Sequence, residues 1–346
     1  MANEREVLLS IKDLEVFFDV RSDKLFSKEK KVVKAVNHIS LDVYKGETLG
    51  LVGESGCGKT TLGKSILRLI PATGGEVIYK FEDGEKDLLK LDKKEMDQAR
   101  QKLQIVFQDP QSSLNPSFTV YQTLSTPLER FGVKSKEERV KIITELLDSV
   151  NMRPEYMNRY PTEFSGGQRQ RIGIARALSV NPELVICDEA VSALDVSIQA
   201  QVLQLLKKLK QERSLTYIFI THNLSVVEYV SDRIAVMYLG KIVELAETSE
   251  LFKHTGHPYT MALLSAIPVA DVDHEKERII LEGDVPSPIN LPSGCSFHGR
   301  CQYCQKRCEE EVPELRCFHI NGVEHHVACH FAEQFLSTEK TEESST

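Results

Sequence analysis

No apolar run in this sequence approaches the roughly 18 residues that a membrane-spanning helix requires. Positive charge is not in excess either: 43 Lys and Arg stand against 51 Asp and Glu, a formal net charge of −8. A nucleic-acid binder would favour a basic face, so composition gives no sign of that class. The opening, Met1-Ala2-Asn3-Glu4-Arg5-Glu6, lacks the basic and then apolar pattern of a secretory signal. The expectation is a chain made and kept in the cytoplasm, with any membrane role coming through partners. Cysteine is scarce over most of the length. Only Cys57 and Cys187 precede residue 295, and the other six fall between Cys295 and Cys329. In a reducing compartment such crowding suggests metal binding before disulfides. No Asn-Lys-x-Asp guanine-reading motif occurs, which disfavours a small GTPase. What remains is ordinary globular chemistry, 41% hydrophobic and 27% charged over 346 residues, suited to one large domain plus an appendage.

The stretch around which the chain is organised is Gly53-Glu54-Ser55-Gly56-Cys57-Gly58-Lys59-Thr60. An apolar strand, Thr48 to Val52, leads in, and a helix-compatible stretch from Thr61 to Ile70 leads out. Strand, Gly-x-x-x-x-Gly-Lys-Thr turn and helix together make the phosphate-binding P-loop. Its glycines let successive N–H groups face one anion, and the helix N-terminus adds partial positive charge. Lys59 supplies a full charge for the β- and γ-phosphates, and the Thr60 hydroxyl can ligate Mg²⁺. A nucleoside triphosphate is expected here.

In chain order, alternation predicts a strand over Leu8 to Phe18 and a return strand over Val33 to Val43, with the basic stretch Arg21 to Lys31 as an exposed loop between them. Phe18 is equally suited to stacking on an adenine or to the core, whereas Phe17 suits the core. A further strand is expected over Glu76 to Phe81, and Lys86 to Lys102 is charged and helix-compatible. The apolar strand Leu103 to Phe107 ends at Gln108, whose amide can complete a Mg²⁺ shell or hold a water. Phe118 to Val150 reads as helical, with an amphipathic stretch at Val140, Ile143, Leu146, Leu147 and Val150. Phe164-Ser165-Gly166-Gly167-Gln168 then opens a second glycine-bearing helix, able to bind another anion or simply to cap itself. The buried-strand run Leu184 to Cys187 ends in Asp188-Glu189. One carboxylate can reach Mg²⁺ and the next can orient or deprotonate a water, at the strand end where α/β proteins bind ligands. Ser192-Ala193-Leu194-Asp195 precedes an amphipathic helix, Ser197 to Leu209. The strand Tyr217 to Thr221 ends at His222, and Asp232 to Glu244 reads as two short strands around Gly240.

With six motifs in this order, the sequence closely resembles the ATP-binding cassette (ABC) ATPase family. Gly53–Thr60, with Thr61 beside it, resembles Walker A, Gln108 the Q-loop and Phe164–Gln168 the signature sequence. Leu184–Glu189 resembles Walker B with its catalytic glutamate, Ser192–Asp195 the D-loop, and His222 the switch histidine. The resemblance implies an α/β fold: an ABC-type P-loop ATPase with an antiparallel β subdomain, a helical subdomain and a loop-rich, cysteine-containing C-terminal extension. The expected boundaries are 1–250 for the nucleotide-binding domain, with the helical part at about 110–180. The extension is expected over 251–331 and a disordered tail over 332–346. Implied roles are catalysis by Glu189, His222 and Gln108, and Mg²⁺ held by Thr60, Gln108 and Asp188. ATP would lie on the Walker A loop with Phe18 at the base, and two cassettes would pair head to tail. In that pairing Ser165, Gly166, Gly167, Gln168 and Asp195 serve the partner's nucleotide.

Within the family, Phe107 to Pro116, Arg159 to Gln168, Ser192 to Gln201, His257-Pro258-Tyr259-Thr260 and Gly283 to Pro288 resemble the oligopeptide/dipeptide importer ATPases. That implies a peripheral subunit on the cytoplasmic side of the cell membrane. Its partners would be a second, different ATPase, two permeases gripped near Ser112 to Phe131, and indirectly an external peptide-binding protein. Same-subfamily importers of other cargo such as nickel chelates, and soluble ABC proteins, remain alternatives, although the second cassette or long coiled coil usual in the soluble class is missing. Ala190 stands where Pro commonly follows the glutamate, Asn223 where Asp often follows the histidine, and Phe164 where the wider family has Leu. None of these removes a catalytic group, so both half-sites contributed by the chain are expected to be competent.

The cysteine-rich end carries Cys295, Cys301, Cys304, Cys308, Cys317 and Cys329 among His298, His319, His325, His326 and His330. Spacing alone admits tetrahedral zinc, slightly favoured, an iron–sulfur cluster, or surplus thiols. The importer resemblance changes the choice. Gly294-Cys295-Ser296-Phe297-His298-Gly299-Arg300-Cys301 and His326-Val327-Ala328-Cys329 are similar to a pattern that holds a [4Fe–4S] cluster. Its implied ligands are Cys295, Cys301, Cys308 and Cys329, with Cys304 competing for the place of Cys308, and its implied role is structural.

Overall fold

The computed structural model describes residues 5–20, 31–267 and 278–336. Two sheets carry the architecture. The first is antiparallel, in the order β2-β1-β4-β5, built from β1 (Val7–Val20), β2 (Lys31–Tyr44), β4 (Gly74–Phe81) and β5 (Gly84–Asp87). The second has eight strands, in the order β11-β12-β10-β9-β3-β8-β7-β6. Its centre is parallel: β3 (Thr48–Val52), β6 (Leu103–Val106), β7 (Leu184–Asp188), β8 (Thr216–Ile220) and β9 (Arg233–Tyr238). β3, β7 and β8 are buried along their whole length, which is why they read as unbroken apolar runs. β10 (Lys241–Glu247) turns back antiparallel on β9, as the two-strand reading around Gly240 predicts.

Helices cover these strands. α1 (Lys59–Ile66) follows β3, and α2 (Lys93–Lys102) begins at a capping box in which Asp92 and Glu95 satisfy each other's backbone N–H. Between β6 and β7 lies the helical part: α3 (Pro110–Ser113), α4 (Val120–Arg130), α5 (Lys136–Ser149) and α6 (Gly166–Leu178). Ile143, Leu146, Leu147 and Val150 pack there against α4 and α6, in one core with β7 and β8. The stretch expected to be helical from Phe118 to Val150 is two helices, broken where Gly132 adopts φ 101°. α7 (Val196–Arg213) and α8 (Leu224–Val230) complete the cassette.

The extension consists of α9 (Thr248–Lys253), α10 (Pro258–Ser265), α11 (Lys306–Glu310), β11 (Arg316–Ile320), β12 (Val323–Val327) and α12 (Ala332–Leu336). It is less loop-like than its composition suggests, because β12 pairs with β10 and so continues the central sheet. Two further differences are physical. The tail expected to be disordered begins with a helix, α12: Ala332 is buried and the Phe335 ring packs 4.9 Å from that of Tyr303. The remainder of that tail, and the basic loop expected over Arg21 to Lys31 save its last residue, lie outside the described residues. Phe17 is half-exposed with Lys34 over its ring at 5.5 Å, rather than in the core. A register shift between Val16 and Phe17 turns it out of the alternation.

Candidate nucleotide-binding site and cysteine pocket

The carboxyl ends of β3, β6, β7 and β8 deliver Gly53, Gln108, Glu189 and His222 to one place, as open parallel sheets do. The P-loop residues there are backed tightly. A Cβ on Gly53 would stand 2.1 Å from the Met237 carbonyl oxygen, and one on Gly58 2.0 Å from that of Ala35. Only glycine fits between these strands. A cavity of about 740 Å³ opens over the loop, lined by Glu54, Ser55, Gly56, Lys59, Thr60 and Thr61 on one side. Gln108, Glu189 and His222 line the other, with Phe18 at the rim.

Each polar group has a partner that fits its role. Lys59 is buried, and its Nζ donates to the carbonyls of Gly53 (2.7 Å) and Glu54 (2.9 Å), holding the ammonium inside the loop. The Thr60 hydroxyl donates to Asp188 Oδ1 at 2.7 Å, which brings together two of the three side chains expected to hold Mg²⁺, while the amide of the third, Gln108, is turned to Glu189. Asp188 is buried, and that burial holds its carboxyl above the ordinary carboxylate range against the opposing pull of Thr60 and Lys64. Glu189 faces the other way. Gln108 Nε2 donates to its Oε2 at 2.7 Å, and His222 Nδ1 lies 3.4 Å from its Oε1. Glu189 adopts φ 47°, a conformation costly for a side-chain-bearing residue and typical of functional positions. Its N–H is tied to the Ile220 carbonyl at 2.9 Å. A carboxylate held by two flanking donors and open to a phosphate cavity is placed to orient a water and accept its proton.

Three sets of expected site residues lie elsewhere. Cys57 turns away from the cavity: its thiol is buried 3.5 Å from Lys59 Nζ, and burial pushes it above the usual thiol range. Its contribution to the loop is backbone, with its carbonyl accepting from Gly240 N at 2.9 Å. Ser165, Gly166, Gly167 and Gln168 open α6 away from this cavity, where Ser165 and Gln168 form a capping box. Asp195 also stands apart, capping α7 by accepting from Ile198 N and Ser197 Oγ. Sequence reasoning missed Tyr259, whose hydroxyl accepts from Glu54 N at 2.8 Å. It also missed Arg300, which forks onto the Glu54 carboxylate at 2.7 and 3.1 Å. Their only sequence signal was membership of the His257-Pro-Tyr-Thr and Arg300-Cys301 patterns.

In the extension, Phe297 anchors a cluster of rings with Tyr238, Tyr259 and His257. Glu244 is fully buried and accepts from Gly256 N, His257 N and His325 Nε2, at 2.6, 3.1 and 2.8 Å. Beside this cluster a small cavity is lined by Cys295, Cys301, Cys308 and Cys329, with Tyr303, His330 and Phe331. Cys308 lines it and is buried, while Cys304 does not. Burial pushes the Cys301 thiol up to about 11 and the Cys329 thiol up to about 12. Among the described residues no three of these sulfurs lie within 4.8 Å of one another. Cys317 stands apart on β11, grouped with Glu324 and His326 of β12.

The family described as ABC transporter matches residues 36–192, and the C-terminal region of the oligopeptide/dipeptide transporter family matches residues 243–308. The chain is 48% identical over 335 residues to the oligopeptide transport ATP-binding protein AppF of Bacillus subtilis (strain 168), covering 95% of this chain and 98% of the relative. It is 47% identical over 330 residues to the oligopeptide transport ATP-binding protein OppF of Salmonella typhimurium (strain LT2), covering 94% and 96%. Among solved structures, the ATP-binding cassette MJ0796, in a dimeric post-hydrolysis state bound to ADP and Pi, is 30% identical. It superposes with a TM-score of 0.60 over 70% of this chain and 99% of that one.

Proposed function

The chain belongs to the ABC transporter ATPases, in the oligopeptide/dipeptide branch, and from that premise we propose that it is the ATP-hydrolysing subunit of a membrane importer of peptides. The observation that carries the reading is Glu189, held between Gln108 and His222 over a phosphate loop. The relatives named for oligopeptide transport extend it to peptide cargo. ATP lies with its phosphates against the P-loop amides and Lys59, and its base toward Phe18. Thr60, Gln108 and Asp188 would hold Mg²⁺, which neutralises phosphate charge when bound. Glu189 orients the attacking water and takes its proton, and His222 fixes Glu189 and reaches the γ-phosphate.

Ser165–Gln168 and Asp195 do not line the chain's own cavity, which supports a second cassette, turned head to tail, that receives them. That cassette is a different ATPase subunit of the same family, and the pair sits peripherally on two permeases at the cytoplasmic face, fed by an external binding protein. No helix among the described residues is long and apolar enough to cross a membrane. Affinity capture of the chain from detergent-solubilised membranes tests the assembly. A second ABC ATPase and two multi-span permeases are the expected companions, and ribosomal or DNA-bound proteins in their place would overturn it.

The four-cysteine cavity supports a [4Fe–4S] cluster held by Cys295, Cys301, Cys308 and Cys329, with Cys308 rather than Cys304. The cluster would be a covalent cross-link within a small extension, and its binding would release protons from thiols that burial keeps protonated. Iron and acid-labile sulfide near 4:4 in anaerobically purified protein are expected, and one zinc per chain instead would sink the assignment.

A further inference from the structure

We infer that Arg300 is a positioning residue of the nucleotide site, by which the C-terminal extension neutralises and fixes the second residue of the P-loop. Glu54 lines the nucleotide cavity, so the loop that must receive a polyphosphate carries a carboxylate of its own. An unpaired anion there repels the phosphates. Arg300 removes that repulsion with a two-pronged contact, Nη1 to Oε2 at 2.7 Å and Nη2 to Oε1 at 3.1 Å. The pairing is well shielded, with side-chain exposures of 8% for Arg300 and 27% for Glu54. Fork-to-carboxylate geometry of this kind also fixes orientation, which a lysine cannot reproduce.

Glu54 is held three ways. Its carboxylate goes to Arg300, its N–H to the Tyr259 hydroxyl at 2.8 Å, and its carbonyl accepts from Lys59 Nζ at 2.9 Å. Both outer anchors belong to the extension, 205 and 246 residues away in the chain. When Lys59 leaves the Gly53 and Glu54 carbonyls for a nucleotide's phosphates, Tyr259 and Arg300 keep the loop in place. Arg300 itself is set by its surroundings. It stands between Phe297, whose ring is locked among Tyr238, Tyr259 and His257, and Cys301 of the cysteine cavity. A segment outside the nucleotide-binding core therefore sets the electrostatics of the phosphate site.

This inference rests on the nucleotide-binding reading, and the experiment separates the two. The affinity of the full-length chain for a fluorescent ATP analogue with Mg²⁺ is measured, with adenosine competition beside it. Arg300→Ala is expected to weaken the ATP analogue roughly tenfold while adenosine changes less than twofold, because only the phosphates feel the exposed carboxylate. Arg300→Lys is expected to recover part of the loss. The double variant Glu54→Gln/Arg300→Ala is expected to recover most of it, since the charge that needed neutralising is gone. Thermal melting of each variant monitors folding, and the double variant, which lacks the pair altogether, keeps the test open if Arg300→Ala alone folds poorly. Unchanged ATP affinity in Arg300→Ala, or a loss that Glu54→Gln does not relieve, overturns the inference. Failure of the unsubstituted chain to bind ATP overturns the nucleotide reading itself.

Discussion

At the scale of single residues, the two adjacent carboxylates have different surroundings, and the proposed division of labour between them rests on that difference. Asp188 is buried against Thr60, whereas Glu189 is braced by Gln108 and His222. Glu189→Gln keeps the shape and the partners but removes the proton acceptor. A general base contributes about 10²- to 10⁴-fold, so phosphate release should fall by at least about a hundredfold. ATP affinity should change little, because the amide still fills the same space. Single-turnover phosphate release beside equilibrium ATP binding checks both halves, and hydrolysis at more than a tenth of the original rate would remove Glu189 from its role. These residues were legible because each motif is contiguous and sits at a strand end. Tyr259 and Arg300 were not, because their meaning lies in one contact each with Glu54 across more than 200 residues of chain. Cys57 shows the converse, since motif membership says nothing about which way a side chain faces.

At the scale of elements, the join between cassette and extension is made by buried polar groups. The Glu244 carboxylate of β10 serves two backbone N–H groups before α10 and the imidazole of His325 on β12. His257 caps α10, its Nδ1 accepting from Tyr259 N at 3.1 Å. Burial holds its imidazole down at about 3, so it stays neutral in the folded chain, while in the unfolded chain it titrates near 6.5. The unfolded state thus takes up a proton below about pH 6.5 that the folded state refuses, and stability falls as pH falls through that window. The expected slope from this residue is about 1.4 kcal/mol per pH unit between roughly pH 6 and 3. His257→Asn, which can still accept at the cap, should flatten the acid limb of a urea-midpoint profile between pH 6.5 and 5. A variant profile parallel to that of the unsubstituted chain would refute this. The strands of the cassette core were readable as apolar runs, and β12 was not. Its Val-Glu-His-His-Val carries too much charge to suggest an interior partner until Glu244 is seen opposite.

At the scale of the whole molecule, the P-loop cavity and the N-terminus of α6 do not face each other, and the head-to-tail proposal turns on that separation. The cavity is lined by the P-loop, Gln108, Glu189 and His222, and by none of Ser165–Gln168. The α6 N-terminus is complete as a cap, with Gly167 pressed so closely to Ile198 that a Cβ would approach Cγ2 to 2.4 Å. Ser165 is the residue to alter, because it is exposed at the helix N-terminus and makes only its own cap. Ser165→Arg should cost about 1 kcal/mol of stability through that cap and leave the chain's own P-loop untouched. Its bulk and charge would instead block the surface offered to a partner's phosphates. In an assembly with the companion ATPase, photo-labelling by an azido-ATP should therefore persist on this chain and fall severalfold on the companion. Glu189→Gln should instead raise labelling on this chain, because nucleotide bound there is no longer hydrolysed. If Ser165→Arg instead removed labelling from this chain alone, each cassette would be closing on itself, and the head-to-tail arrangement would have to be abandoned.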